Sequence, residues 1–148
     1  MALPSSDRVD KLAALRRNPA DFEAYLDLGA TLRAWESVTL PDGRTMGQRD
    51  LYIEALRQNP AYANAYYCLG AVLRAGESVK LPDGRTMGQR GLYIEALRHN
   101  PAYGNAYFNL GAGLRAGESV KLPDGRMMGQ RDLYIEALRH NRASAEVQ

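Results

Sequence analysis

The chain has 148 residues, 45% hydrophobic and 24% charged, an ordinary soluble composition long enough for one domain. Its 19 basic and 17 acidic residues are interspersed and leave a formal charge of +2, without the basic block that tracks phosphates; nucleic acid and anionic membrane are therefore not the expected partners. No apolar run reaches the roughly 18 residues of a membrane span or forms a secretory leader, so a soluble, cytoplasmic protein is expected.

In chain order, Ser5 or Ser6 can cap a first helix whose Val9, Leu12 and Leu15 recur at helical spacing and which ends at Asn18-Pro19. A second helix is expected over about 20–34, with equivalents over about 61–75 and 102–116. In the middle copy Tyr66, Leu69, Gly70 and Leu73 fall on one face, and glycine within that stripe implies close approach by a neighbouring helix. Cys68, the single cysteine, lies among core-type neighbours and reads as an inert packing residue. Gly76 and Gly117 stand where a left-handed helix C-cap is expected. Trp35 takes that place in the first copy, so a different helix exit is expected there, with the indole laid over apolar surface as a lid.

The connector Glu77 to Arg85 is long for a turn between antiparallel helices. An ordered irregular loop pinned by Val79 and Leu81 is the favoured reading. A miniature hairpin around Pro82-Asp83-Gly84 is the alternative. Thr45 and Thr86, each followed three residues on by Gln48 or Gln89, read as capping boxes opening the next helix. Met127 replaces the threonine in the last copy, so that helix should fray at its start. Tyr93, Ala96 and Leu97 form an inward stripe, while Glu95 and Arg98 read as an outer i,i+3 ion pair.

The segment opening at Leu40 recurs at Leu81 and Leu122, a period of 41 residues, and residues 50–90 and 91–131 share 34 identities in 41. A fixed period of this length marks a repeat array, and such arrays present surfaces for binding. The bounds are a half unit at 5–18, units at 19–59, 60–100 and 101–141, and a tail at 142–148. His99 and His140 are the only histidines; they are repeat equivalents of Gln58, expected at solvent-facing helix ends, and assemble neither a metal cluster nor a nucleophile–base pair. No catalytic residue, metal site or cofactor is expected.

The stripe Tyr66-x-x-Leu69-Gly70-x-x-Leu73, followed by Tyr93-x-x-Ala96-Leu97 and a closing Asn100-Pro101, resembles the tetratricopeptide repeat family. The resemblance spans Val9 to about His140. The family unit has 34 residues, so each 41-residue unit here carries seven more, all in the connector, and Gln48, Gln89 and Gln130 stand where the family has a small alanine. The resemblance implies an all-α, right-handed solenoid of about seven helices in stacked antiparallel pairs, with the first helices lining a concave groove. Groove places carried over from the family are Glu23, Leu26, Ala30 and Arg33, then Asn64, Tyr67, Ala71 and Arg74, then Asn105, Phe108, Ala112 and Arg115. The row Arg33, Arg74, Arg115 beside Tyr67 and Phe108 suits an acidic peptide or partner protein. The competing reading pairs each arginine with Glu36, Glu77 or Glu118. The alternative function is a self-assembling repeat protein, a homo-oligomer through Leu133, Ile135 and Leu138 on the last helix, unless residues 143–148 shield that face.

Overall fold

The computed structural model describes the backbone of residues 6–147 and the side chains of residues 7–141. The expected caps Ser5 and Ser6 lie outside the described side chains. Seven helices dominate: α1 (Ser6–Arg17), α2 (Phe22–Ala30), α3 (Gln48–Gln58), α4 (Ala63–Val72), α5 (Gln89–His99), α6 (Gly104–Ala112) and α7 (Gln130–Val147). Each packs on its neighbour in the chain, most extensively in the pairs α2–α3, α4–α5 and α6–α7. No helix among the described residues is long and apolar enough to cross a membrane.

The expected stripes form the core. Tyr66, Leu69 and Leu73 are buried against Tyr93, Ala96 and Leu97, and the corresponding residues of the other pairs do the same. Gly70 is fixed by this packing: a Cβ there would lie 2.9 Å from Cε1 of Tyr93, closer than the ring tolerates. In α1, Leu15 is buried and Leu12 half-buried, but Val9 is 55% exposed and outside the core.

Each Asn-Pro junction is a built corner. Proline removes the donor that would continue the helix and pushes the preceding asparagine out of helical geometry; Asn59 and Asn100 both have φ −142°. The asparagine Oδ1 then accepts from the residue after proline, and the Tyr25, Tyr66 and Tyr107 hydroxyls donate to the Pro19, Pro60 and Pro101 carbonyls at 2.8, 2.8 and 2.7 Å.

The connectors are ordered antiparallel hairpins, which corrects the expectation of irregular loops. Strands β1 (Ser37–Thr39) and β2 (Thr45–Gly47), β3 (Ser78–Lys80) and β4 (Thr86–Gly88), and β5 (Ser119–Lys121) and β6 (Met127–Gly129) pair within each unit. In the middle ribbon Val79 faces Met87, one apolar pair packed against the core, while the flanking side chains face outward. The Leu81 N–H donates to Arg85 O at 2.7 Å, and Gly84, at φ 94°, turns the corner.

Because the hairpin consumes Thr45 and Thr86, neither caps a helix. The helices begin at the following glutamines, after Gly47 and Gly88 in extended geometry. Asp50 supplies the α3 cap instead, its carboxylate accepting from the Gly47 N–H at 3.4 Å. Met127 likewise lies in a strand and bears on no helix start. The first helices of the pairs stop three to four residues earlier than expected, at Ala30, Val72 and Ala112. Gly76 and Gly117, with φ 86° and 85°, sit beyond the cap in the turn that leads to the hairpin. Trp35 makes that turn without positive φ, so the first exit does differ, yet the indole is 77% exposed and covers no core; it lies against the Arg33 guanidinium, 5.7 Å from the ring centroid.

Candidate functional site

Two rows of side chains repeat along the array. The first joins hairpin to helix. Glu54, Glu95 and Glu136 are the buried charged residues among those described, which corrects the placing of Glu95 on an outer face. Arg85 from the hairpin and Arg98 from the following turn of α5 reach Glu95 at 3.5 and 3.0 Å, and His99 approaches at 3.8 Å. Glu54 has Arg44 and Arg57, both at 3.1 Å; Glu136 has Arg126, Arg139 and His140. A buried carboxylate persists only when paired, and the hairpin arginine supplies a partner from outside the helix. His99 and His140 also stack on Tyr66 and Tyr107, with centroids 5.4 and 5.3 Å apart; His99 is exposed, as expected, whereas His140 is half-buried.

The loop arginines are themselves held. Asp83 accepts from the Arg85 backbone N–H at 2.9 Å and from its Nε at 2.7 Å, and these bonds hold the Asp83 carboxyl below its ordinary value. The same geometry recurs at Asp42 with Arg44 and Asp124 with Arg126. Each Leu-Pro-Asp-Gly-Arg segment is therefore held in the same fixed turn.

The second row is the expected binding surface. Glu23, Asn64, Asn105, Arg33, Arg74, Arg115, Ala30, Ala71 and Ala112 are exposed, and Phe108 is 52% exposed. Leu26 is corrected: at 7% exposure it belongs to the core. Tyr67 is half-buried in the seam between units, its ring 4.9 Å from that of Tyr103 and its hydroxyl accepting from Asn109 Nδ2 at 3.1 Å. Phe108 packs on Tyr134 at 5.3 Å and has no second aromatic partner among the described residues; the 41-residue equivalent of Tyr103 in the sequence is Ser144.

The acidic residues beside the arginine row do not pair with it as expected. Glu36, Glu77 and Glu118 accept from the backbone N–H groups of Arg33, Arg74 and Arg115 at 2.8, 2.7 and 2.6 Å. Their ion pairs go back to the preceding helices, to Arg8 at 3.8 Å, Arg49 at 2.8 Å and Arg90 at 3.5 Å. The Arg49 hydrogen bond, then the Arg74 N–H, hold Glu77 below the usual carboxylate range. The Arg74 and Arg115 guanidiniums have no carboxylate within 4.0 Å among the described residues.

On the last helix the three assembly residues divide. Leu133 is fully buried, which corrects its place on an open face: it packs inward against α6 as Leu51 and Leu92 pack in their own pairs. Ile135 and Leu138 are 47% and 68% exposed. Of the segment 143–148, the alternative cover for that face, the backbone continues α7 to Val147. Cys68 is partly buried, and burial pushes its thiol up, in keeping with a packing role.

Sequence reasoning missed two functions of repeated polar residues. Gln48, Gln89 and Gln130 cap no N-terminus; each donates Nε2 to carbonyls at the end of the preceding helix, in the middle unit Gly70 O at 3.1 Å and Leu73 O at 3.2 Å. The buried glutamates were signalled only by their apolar flanks, Tyr-Ile-Glu-Ala-Leu in all three units. No protein-family model matches the chain, and no curated protein matches it.

Proposed function

We propose that the chain is a protein–protein interaction module of tetratricopeptide-like architecture, a right-handed superhelix whose first helices line a concave groove for an acidic segment of a partner protein. The reading rests on the arginine row: Arg74 and Arg115 are exposed and unpaired with carboxylates among the described residues, because the neighbouring glutamates are committed to backbone N–H groups and to the preceding helices. Two guanidiniums one repeat apart, with Phe108 exposed in the same unit as Arg115, match a peptide carrying carboxylates and aromatic side chains. The module acts by binding, in the cytoplasm, without a catalytic residue or cofactor.

An array of Asp/Glu-rich peptides with interspersed aromatics, probed with the full chain, tests this. Binding is expected and should weaken at least about tenfold in Arg74→Glu plus Arg115→Glu, as loss of charge-assisted contacts and added repulsion require. Equal binding by the double variant overturns the groove assignment.

A second reading, self-association through the last helix, is favoured by Leu138, 68% exposed where its equivalents Leu56 and Leu97 are each at 2%.

A further inference from the structure

A cavity of about 410 Å³ opens where the second and third units meet, between the base of the β3–β4 hairpin, the start of α5 and the end of α6. Three of the five lining residues drawn from 91–131 are places where that copy departs from residues 50–90: Gly91 for Asp50, Asn109 for Cys68 and Gly113 for Val72. Nothing in the backbone or the packing demands the two glycines. Neither has positive φ, and a Cβ would come no nearer than 3.5 Å to any neighbour at Gly91 or 3.7 Å at Gly113. Glycine inside α5 sacrifices propensity at Gly91, and Gly113 caps α6 without positive φ, so what these two contribute is open space.

The replacements also change the chemistry of the space. The Asp50 counterpart is gone, and with it the carboxylate that its own unit carries there. Asn109 donates Nδ2 to the Tyr93 hydroxyl at 3.4 Å, and Gln89 donates Nε2 to the same oxygen at 3.5 Å. With its oxygen facing the Asn109 amide at 3.4 Å and the Gln89 amide at 3.5 Å, whose two hydrogens also serve the Gly70 and Leu73 carbonyls, the Tyr93 hydroxyl keeps its proton to donate, and no acceptor for it stands among the described residues. Tyr93 is 3% exposed, and burial pushes its phenol above the ordinary value, so it remains a donor at neutral pH. Arg90 lines the same cavity and is bound only loosely, to Glu118 at 3.5 Å. Glu77 is the opposing charge on the wall, and it is already matched by Arg49 and the Arg74 N–H.

We propose that this cavity is a binding site for a small carboxylate ligand, its carboxylate met by the Arg90 guanidinium and the Tyr93 hydroxyl beside Gly91, the position that carries the Asp50 carboxylate one unit earlier. The site stands apart from the peptide groove and does not rest on it.

The full chain labelled with ¹⁵N and titrated with glutarate tests the assignment, with glutaramide as the uncharged control. Glutarate should give saturable shifts at Gly88, Gly91 and the Asn109 side-chain amide, and glutaramide none. Gly91→Asp plus Gly113→Val installs the residues of the sister unit, whose fold shows they are tolerated, and should weaken glutarate binding at least about tenfold. Tyr93→Phe keeps the ring packing and should weaken it as well. Arg33→Glu, a groove charge in the first unit away from the cavity, should leave the glutarate shifts unchanged. Absence of saturable shifts at tens of millimolar, equal shifts with glutaramide, or undiminished binding by Gly91→Asp plus Gly113→Val would each overturn the proposal.

Discussion

The Gln89 amide serves two carbonyls at once where α4 ends, that of Leu73 and that of Gly70, to which the Leu73 N–H donates at 3.4 Å. Gln89→Leu keeps the side-chain bulk but leaves both acceptors without that donor in a half-buried place. The expected cost is about 1–3 kcal/mol, read as a lower urea midpoint with an unchanged slope. A midpoint equal to that of the parent chain would show that water replaces the amide. This role was not legible from the sequence, because the acceptors lie 16 and 19 residues earlier and only tertiary packing brings them near. Tyr93, Ala96 and Leu97 were legible, since burial of one helical face imposes its period on the residue types. Glu95 shows the limit of that logic: its position is buried, and a charged residue survives there because Arg85 arrives from a hairpin ten residues upstream.

Among the elements, the helices followed from periodicity and from the Asn-Pro stops, whereas the hairpins were only half visible. The alternation of Val79 and Leu81 and the Pro-Asp-Gly corner announced a turn, but two isolated strands are marginal in water. What makes the ribbon hold is its footing: the Val79–Met87 pair rests on the core and Arg85 reaches the buried Glu95. The last helix carries the converse lesson. Asn59-Pro60 and Asn100-Pro101 end α3 and α5, but Asn141 is followed by Arg142, and α7 runs 18 residues to Val147 where the others have 11. Arg142→Pro should restore the break, because proline removes the donor and disfavours helical geometry at Asn141. Circular dichroism is expected to lose the signal of roughly one and a half to two turns, with the rest of the fold intact. Unchanged helicity would mean that the extension is not populated in solution.

For the whole molecule, neighbour-to-neighbour packing means that the helix following each pair covers it, and among the described residues no helix follows α7. Leu56 and Leu97 measure this directly: both are at 2% exposure under the helix that follows, while Leu138, their equivalent in the third unit, is at 68%. Ile135 is exposed beside it, and Phe108 borders the same end of the array. Burying one leucine contributes about 1.5–3 kcal/mol, so two or three such side chains in a self-complementary contact drive weak association, in the micromolar to millimolar range, rather than an obligate dimer. The expected result is a scattering mass that rises with protein concentration in the parent chain and stays at the single-chain value in Leu138→Glu. That substitution leaves the interior untouched, since the side chain is already in solvent, and an unchanged unfolding transition would verify it. A parent chain that remains monomeric to millimolar concentration would remove self-association as a role for this face and leave the arginine row as the surface on which the interaction reading stands.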